Sequence, residues 1–466
     1  MHNDKESPFT LTLLEGDLTL QAVRFKGSEG LNQLYRFEID VIAMAPAMDF
    51  GRLLRKPVFL DLGNGDGIHG SVHSATREHH GSLQIGYTLT VVPYLQRLES
   101  DTCRRVFHHL DVPTILRQLL EQNELPEESY RIELNGLYPP RPFCIQYEES
   151  DLALLKRLCE EEGIHFHFEH HRNGHVLVLA DDSLSFPQDP RLAPFQQEGD
   201  DFNRTSAITR LYQRHDALHT HAQRQAKNRG IPDTLGDAAN HAFAKASRNA
   251  VLSTPEQVHH QQCSQRQLER LRCTPQQIHG ESTQPALRSA RIVQVSEHPI
   301  MSFNDQWLLT EVRHHGQHPS ILAQDSIAAS YHNQFTAIPW STVFRPPVTR
   351  TKTRIPGYQP ARVLGCPGQP ATRDDQGRVQ VRLWPTSEPD PEEPDGMWVP
   401  IVCATPDAHS NFVGLPKAGT DVFVSFLDSD PDRPVMWAGS RQSRQSKPEP
   451  QHGGNTGLLF DWLINR

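Results

Sequence analysis

The sequence lacks the patterns that mark membrane-spanning, secreted and disulfide-stabilised proteins. None of its apolar runs approaches the about 20 residues that a membrane-spanning helix needs, so no stable membrane insertion is expected. Residues 1–6 are polar and no apolar block follows a basic one, which argues against a cleaved secretory signal. The seven cysteines form no Cys-x-x-Cys motif, and their odd number favours reduced thiols in a cytosol over a disulfide framework or a zinc site.

Positive charge is scarce relative to negative charge. The 466 residues include 46 Lys and Arg against 56 Asp and Glu, a formal net charge of -10, so a polyanion would be repelled and no nucleic-acid partner is expected. By contrast, proline (36) and glycine (29) are plentiful, which favours many short strands and turns over long helices. At about 100–200 residues per domain, this length predicts three or four domains.

Recognisable catalytic motifs are absent from the sequence too. It has no Gly-x-Ser-x-Gly elbow, no phosphate-binding loop and no His-Glu-x-x-His motif. Asp428, Asp430 and Asp432 begin like a calcium loop, but Arg433 stands where such a loop has glycine and Gly439 where it has its last glutamate. We interpret this stretch as a stiff turn in which Arg433 can pair with a carboxylate. We predict no catalytic residues, no metal ligands, no cofactor-binding residues and no cofactor.

Histidine, with 26 residues, is the residue type that comes closest to forming a site. His165 and His167 share one face of a predicted strand, and imidazole nitrogens can bind metals. Three more histidines lie nearby, at 170, 171 and 175. Because no carboxylate or cysteine stands at a recognisable interval, we interpret this group as a solvated or interface face. Adjacent pairs such as 259–260 and 314–315 point to opposite faces when extended, so each pair does not easily chelate one ion.

The first hundred residues have the alternation of apolar and polar residues that is typical of strands with one buried face. The stripe of Tyr35, Phe37, Ile39 and Val41 is a clear example. Asn-Gly and Asp-Gly pairs at 64–67 tolerate the positive φ of tight hairpins. Regularly spaced strands of this kind predict a barrel or a sandwich.

Between 111 and 180 the pattern changes to helices mixed with strands. Pro113 suits the first turn of one helix, and a second helix is predicted from a cap at Ser150 to a left-handed stop at Gly163. The three glutamates at 160–162 are interpreted as a wet, charged surface at the end of this helix. Apolar residues then alternate with histidines at 164–168, and a turn at 173–174 leads into a second apolar strand at 176–179, which predicts an α+β segment.

The rest of the chain predicts two further β regions. Residues 213–285 are polar, with helices predicted at 238–250 and 261–271, and strands return at 290–295 and 307–312. A proline-rich linker follows. The short strands beyond it predict a small barrel of the OB type. Its tryptophans are either core residues or anchors between subunits: Trp384, Trp398 and Trp437.

Four motif-bearing stretches occur in one chain order, at 141–164, 333–347, 374–381 and 415–434. Together they resemble the VgrG family, the spike proteins of the type VI secretion system, over most of residues 9–440. The resemblance implies a mainly β fold, with two related barrel domains in a tube-like base, an α+β domain between them and an OB-fold behind them. It also relates the chain to the hub and spike proteins of contractile phage tails.

The resemblance also implies an assembly and its partners. Family members are homotrimers, and two barrels in each of three chains give a pseudo-sixfold ring that fits a hexameric tube of Hcp. Type VI baseplate components, effectors and adaptor proteins would be further partners. The spike would assemble in the cytoplasm and then be secreted by sheath contraction, without a signal peptide.

Pattern and resemblance together predict six segments. They are a first barrel domain at 1–100, an α+β domain at 101–200, a second barrel domain with a polar insertion at 201–345, a linker at 346–357, an OB-fold at 358–440 and the start of a spike stem at 441–466. Only the entrance to the family's β-prism needle fits behind Ser440, so a truncated needle is expected and a PAAR-repeat tip is not expected without it. Ser429 stands where the family usually has glycine.

The predicted function is therefore that of a non-enzymatic spike component that delivers effectors into target cells. The alternative is the hub of a phage baseplate or of an extracellular contractile injection particle. An effector enzyme, such as a cell-wall hydrolase, is less favoured, because no catalytic spacing stands out in the 213–285 region.

Overall fold

The computed structural model describes residues 8–437, apart from 17, 45, 64, 80–83, 197–205, 215–254, 319–328, 350–352, 367, 386–395 and 403–414. Two compact units result, one of residues 1–355 with 430–432 and the other of 356–429 with 433–466. The helix predicted at 238–250, most of the polar insertion and the predicted stem at 441–466 lie outside the described residues. No described helix has the length and apolar character needed to cross a bilayer.

The first unit begins with a closed barrel of six strands. β1 pairs with both β2 and β4, and the ring continues through β5, β6 and β3 back to β2. Alternation predicted these strands because every second side chain points into the barrel: Phe37, Ile39 and Val41 are buried. The strands are β1 (Thr10–Leu13), β2 (Leu18–Gly30), β3 (Arg36–Met44), β4 (Pro57–Asp61), β5 (Gly67–His79) and β6 (Gln84–Val92).

An α+β segment follows, made of a two-stranded ribbon (β7 with β9), a three-stranded sheet (β10–β11–β8) and two helices. Both predicted helix starts are confirmed: Asp111 accepts a hydrogen bond from Thr114 N at 2.8 Å, and Ser150 accepts one from Ala153 N at 3.2 Å. Gly163 ends the second helix with φ 73°. The elements are β7 (Cys103–Leu110), α1 (Val112–Gln122), β8 (Tyr130–Glu133), β9 (Arg141–Glu149), α2 (Asp151–Glu162), β10 (His165–His171) and β11 (Gly174–Ala180).

A second six-stranded barrel completes the first unit. Its ring runs β13–β14–β17–β16–β15–β12 and closes where Phe195, directly behind β12, bridges Ile208 in β13. The ring order equals that of the first barrel if β15–β17 correspond to β1–β3 and β12–β14 to β4–β6. The two barrels therefore share one ring order, with their halves exchanged along the chain. One strand differs in direction, because β12 runs parallel to both of its neighbours whereas β4 runs antiparallel to both of its own. The strands are β12 (Arg191–Pro194), β13 (Ile208–Gln213), β14 (Ile278–Ser282), β15 (Ile292–Ser296), β16 (Gln306–Gln317) and β17 (Ser330–Pro339).

One strand pair joins the two barrels into a 12-stranded sheet. The first half of β2 pairs with β1 in its own barrel, while residues 24–30 also pair with residues 311–317 of β16. In the same way, the start of β16 pairs with β15. Gly316 permits this close pairing, because a Cβ there would lie 2.2 Å from an aromatic carbon of Phe25 in β2. Gly27 does the same on the other side of β2, where a Cβ would lie 2.2 Å from Phe37 in β3.

The helix predicted at 261–271 is confirmed as α3 (Pro255–Cys273). Its attachment to the first unit is mostly polar: Arg266 and Cys273 are its two buried residues among the side chains that are described. Arg266 pairs with Asp181 at 2.7 Å, and Arg270 donates to the carbonyl of Glu160 at 2.7 Å.

The second unit is a closed five-stranded barrel, as predicted for an OB-type domain. β20 and β21 form one extended strand that is interrupted at Pro400. β20 pairs with β19 and β21 pairs with β23. The order β19–β18–β22–β23 then completes the ring. The elements are β18 (Tyr358–Val363), β19 (Val379–Leu383), β20 (Met397–Val399), β21 (Ile401–Val402), β22 (Asp421–Phe426) and β23 (Pro434–Trp437). The prediction of a mainly β fold with two barrels, an α+β segment and a third small barrel is confirmed.

Candidate assembly surface

A continuous polar face crosses both barrels of the first unit where β3, β2, β16 and β17 lie side by side. We call it the junction face. Its side chains alternate with buried residues, so they all lie on one side of the sheet. They are Glu38, Asp40, Arg24, Lys26, Arg313, His315, Gln317, His332 and Gln334.

Cross-strand pairs order the junction face. Arg24 contacts Asp40 at 2.6 Å and Lys26 contacts Glu38 at 3.2 Å, as the register of β2 against β3 requires. His315 stacks on His332 with ring centroids 4.9 Å apart. Each exposed ion pair contributes at most about 1 kcal/mol. The value of the face lies in its fixed pattern of charge, which suits a polar partner surface.

The second unit presents a contrasting surface with exposed apolar side chains. Tyr358 and Phe423 are 64% and 60% exposed on the adjacent strands β18 and β22, and Pro360 lies directly opposite Phe423. We call these three residues the aromatic face. Adjacent exposed aromatic side chains of this kind are typical of protein interaction surfaces.

The tryptophans near the aromatic face are only partly covered. Trp384 is half-buried and its indole N–H donates to Gln359 Oε1 at 3.0 Å. Trp398 is also half-buried, and the side chain of Trp437 lies outside the described residues. The choice between core residues and subunit anchors therefore stays open for Trp384 and Trp398.

The turn predicted around Asp428 begins with a short 3-10 turn at Leu427–Ser429, in which Asp428 also has a positive φ of 57°. Arg433 contacts Asp428 Oδ2 at 2.7 Å, as the sequence predicted. Ser429 has φ 58°, so a Cβ stands in the left-handed conformation for which glycine is suited.

The first motif stretch of the sequence, 141–164, forms an internal ion-pair network. Arg157 contacts Glu149 at 2.6 Å, while Arg141 contacts Glu161 at 3.0 Å and Glu162 at 2.7 Å. The network ties β9 to α2. Its charged residues thus serve the folding of this segment.

The interpretation of the three glutamates as a wet surface is wrong for two of them. Glu160 is 9% exposed and Glu162 is 2% exposed. Both oxygens of Glu160 accept hydrogen bonds from Thr349, each at 2.9 Å, and Glu162 is held by Arg141. Thr349 lies 189 residues from Glu160, and Arg141 lies on β9, 21 residues before Glu162, so the local charge run did not indicate either partner.

The interpretation of the histidine group as a solvated or interface face is also wrong for His165, His167 and His175. All three are buried, and His165 stacks on Phe186 with ring centroids 4.5 Å apart. His165 Nε2 also lies 3.0 Å from Ser185 Oγ. Burial lowers the pKa of these histidines, so the rings are neutral at pH 7.

A second histidine group lies between the first barrel and the α+β segment. His175 Nε2 accepts from Tyr94 N at 3.1 Å, which leaves its Nδ1–H to donate to His69 Nδ1 at 2.9 Å. His170 Nδ1 accepts from the backbone N–H of His69 at 3.3 Å. These bonds assign one neutral tautomer to each ring. A proton added to His69 or His170 at Nδ1 would face an N–H.

A buried hydrogen-bonded chain also crosses the β2–β16 joint. Asn333 Nδ2 donates to Tyr331 OH at 3.1 Å, and Tyr331 OH donates to His314 Nδ1 at 2.6 Å. His314 Nε2–H donates to Glu29 Oε1 at 3.1 Å, and the backbone N–H of Ser289 also donates to Glu29. Although burial raises the pKa of Glu29, these partners hold it lower, at about 2. This series of hydrogen bonds stabilises the β2–β16 joint, because each side chain in it is fixed by its neighbours.

The paired barrels and the α+β segment match one protein family. Residues 28–320 match the family described as the phage tail baseplate hub (GPD). The chain belongs to this hub family. The matched range begins in β2 and ends beyond β16, so it includes all of β16 and the last residues of β2 in the strand pair that joins the two barrels.

Two curated relatives of this hub protein are type VI secretion system spike proteins of Pseudomonas aeruginosa. VgrG4b is 34% identical over 449 residues and VgrG5 is 34% identical over 434 residues. These alignments cover 92% and 89% of the hub chain but 56% and 55% of the relatives, so the chain spans about half their length.

A solved structure supports the same fold. The Escherichia coli c3393 protein, described as a type VI secretion component similar to the T4 phage tail proteins gp27 and gp5, has a TM-score of 0.66 at 20% identity. The match covers 91% of the hub chain and 98% of c3393. The similarity to the VgrG family that the sequence motifs indicated is therefore confirmed for the hub fold.

Proposed function

We propose that this hub protein is a structural, non-enzymatic component of a type VI secretion spike. It would act as a homotrimer that caps the Hcp tube, contacts the baseplate and carries effectors with their adaptor proteins. One observation supports this proposal above the others: each chain supplies two related closed barrels, joined by β2 and β16. Three such chains place six similar barrels around one axis, which matches a hexameric tube.

The two surfaces suit different contacts in this assembly. The junction face offers fixed charges and hydrogen-bonding groups for the polar surface of a tube or baseplate protein. The aromatic face offers Tyr358 and Phe423 for contact between copies of the chain, because aromatic residues dominate the centres of protein interfaces.

We propose the predicted domains, which are barrels at 1–100 and 201–345, the α+β domain at 101–200, a linker at 346–357, the OB-fold at 358–440 and a stem from 441. One strand departs from these bounds, because β12 (Arg191–Pro194) belongs to the second barrel. Assembly would occur in the cytoplasm, followed by secretion through the type VI system. The family match to a phage tail baseplate hub favours, as a second candidate, a role in a phage baseplate or an extracellular injection particle.

Light scattering of the full chain, alone and with purified Hcp, tests the proposal. We expect a particle of three times the 52.8 kDa chain mass that binds Hcp hexamers. Phe423→Arg should weaken the trimer, whereas Leu184→Arg, which alters an exposed leucine of the first unit, should not. A monomer at micromolar concentration with Hcp present would contradict the proposal. Binding to a phage tube protein in place of Hcp would favour the second candidate.

A further inference from the structure

Three side chains from two helices converge where α2 ends and α3 passes over it. His259 Nε2 lies 2.8 Å from Glu162 Oε2 and 3.5 Å from Cys263 Sγ. The distance from Cys263 Sγ to Glu162 Oε2 is 4.0 Å. His259 and Cys263 are four residues apart on α3, so they project from the same side of the helix.

These separations are close to those of ligands around one small ion. Zinc binds oxygen and nitrogen at about 2.0–2.1 Å and sulfur at about 2.3 Å, which places tetrahedral ligands about 3.3–3.6 Å from one another. Shifts of about half an ångström would bring the three atoms to that spacing. The donor set of thiolate, imidazole and carboxylate is also one that zinc prefers over calcium or magnesium.

The arrangement does not fit a catalytic triad. In such a triad the nucleophile and the carboxylate bond to different nitrogens of the histidine ring. Here both Glu162 and Cys263 face the same nitrogen, Nε2 of His259. Atoms that converge on one point are arranged for coordination rather than for proton relay.

The surroundings of Glu162 orient it for this role. Arg141 holds the other carboxylate oxygen, Oε1, at 2.7 Å, and Arg266 holds the backbone carbonyl at 2.6 Å. Oε2 is thereby directed towards α3. Partners that fix a ligand in this way are typical of metal sites. Glu162 is buried, whereas His259 is 23% exposed on its side chain, which leaves access for an ion and a water molecule as fourth ligand.

We propose that Glu162, His259 and Cys263 form a zinc site with one open coordination position. The site clips α3 onto α2 across a separation of 97 residues. This location is informative, because α3 is otherwise attached through polar contacts such as Arg266 to Asp181 and buries little apolar surface. A metal clip supplies the stability that an apolar helix face would normally provide. No sequence pattern indicated the site, because Glu162 lies 97 residues from His259 along the chain.

Metal binding by the untagged full chain tests the proposal. The protein is stripped with a chelator, titrated with zinc or cobalt(II), and compared with Cys263→Ser and His259→Gln. Matched controls are Cys366→Ser, at an exposed cysteine, and His260→Gln, at the exposed neighbour of His259. Circular dichroism selects the variants that fold.

We expect one zinc per chain in the native protein and in both controls, a sulfur-to-cobalt charge-transfer band, and a higher Tm with zinc. Cys263→Ser should lose the band, and either ligand variant should bind zinc more weakly by more than the about 10–100-fold that removal of a second-shell partner costs. Should Cys263→Ser fail to fold, His259→Gln decides. Equal zinc binding by native protein and ligand variants, or a cobalt band that survives in Cys263→Ser, would overturn the proposal and reduce the cluster to an ion pair beside a thiol.

Discussion

Mild acid should destabilise the first unit because its buried histidines cannot accept protons. Burial lowers the pKa of His69 to about 4 and that of His170 to about 3, while the neighbouring rings and backbone N–H groups occupy the positions where a proton would add. In the unfolded chain histidine titrates near about 6.5. Below that pH the unfolded state therefore binds protons that the folded state excludes.

The sign and size of the effect follow from this difference. The stabilisation is fully present above pH 6.5 and is lost as the pH falls towards the folded pKa values of about 4 and about 3. Each histidine costs about 1.4 kcal/mol per pH unit once its unfolded form is protonated, so these two remove about 3 kcal/mol between pH 6.5 and pH 5. Buried His165, His167, His175 and His314 act in the same direction. A total stability of about 5–15 kcal/mol makes such a loss easy to measure.

The two carboxylates with strongly lowered pKa values, Glu29 and Glu169, do not titrate between pH 7.5 and pH 5. The pKa of Glu29 is held at about 2 by its hydrogen-bonded and charged neighbours, although burial raises it. His167 and Arg131 hold the pKa of Glu169 at about 2. They lose their stabilising charge only well below pH 5. Urea unfolding at constant ionic strength between pH 7.5 and pH 5, followed by fluorescence, measures the histidine contribution. His69→Asn should flatten the profile, whereas His171→Asn, at an exposed histidine, should not. A free energy of unfolding that changes by less than about 1 kcal/mol over this range would refute the reasoning.

Three substitutions test other parts of the fold through the free energy of unfolding. Ser429→Gly should stabilise the small barrel by about 0.5–1 kcal/mol by relieving the left-handed serine; a loss would contradict that reading. Gly27→Ala should cost about 3 kcal/mol through overpacking, whereas Gly174→Ala, where a Cβ meets nothing within 4 Å, should cost far less. Arg157→Met should cost about 3–5 kcal/mol because Glu149 is left without its main partner; a neutral result would show that the ion pair contributes nothing.

Local patterns predicted most of the elements. The cap at Ser150 and the stop at Gly163 gave both ends of α2, because helix ends depend on hydrogen bonds within four residues. Strand alternation gave β3, because period and burial coincide in a half-buried strand. Such features need no knowledge of distant parts of the chain.

Partnerships across the chain could not be predicted in this way. Glu160 was predicted to be exposed because its hydrogen-bond partner Thr349 is 189 residues away and has no local sequence signal. Glu29 likewise bonds to His314, which is 285 residues away. The ring closure at Phe195 and Ile208 is likewise a tertiary contact without a sequence signal. The zinc ligands proposed here belong to the same class.

The two strands that join the barrels, β2 and β16, are synthesised far apart in time. Residues 24–30 leave the ribosome long before residues 311–317, with which they pair. At about 5–20 residues per second, the outer edge of β2 would wait about 15–60 s for its permanent neighbour. During that interval it presents unsatisfied backbone groups to every other nascent chain nearby. We therefore expect a chaperone to cover this edge during synthesis. Such a chaperone would be found bound to N-terminal fragments on stalled ribosomes.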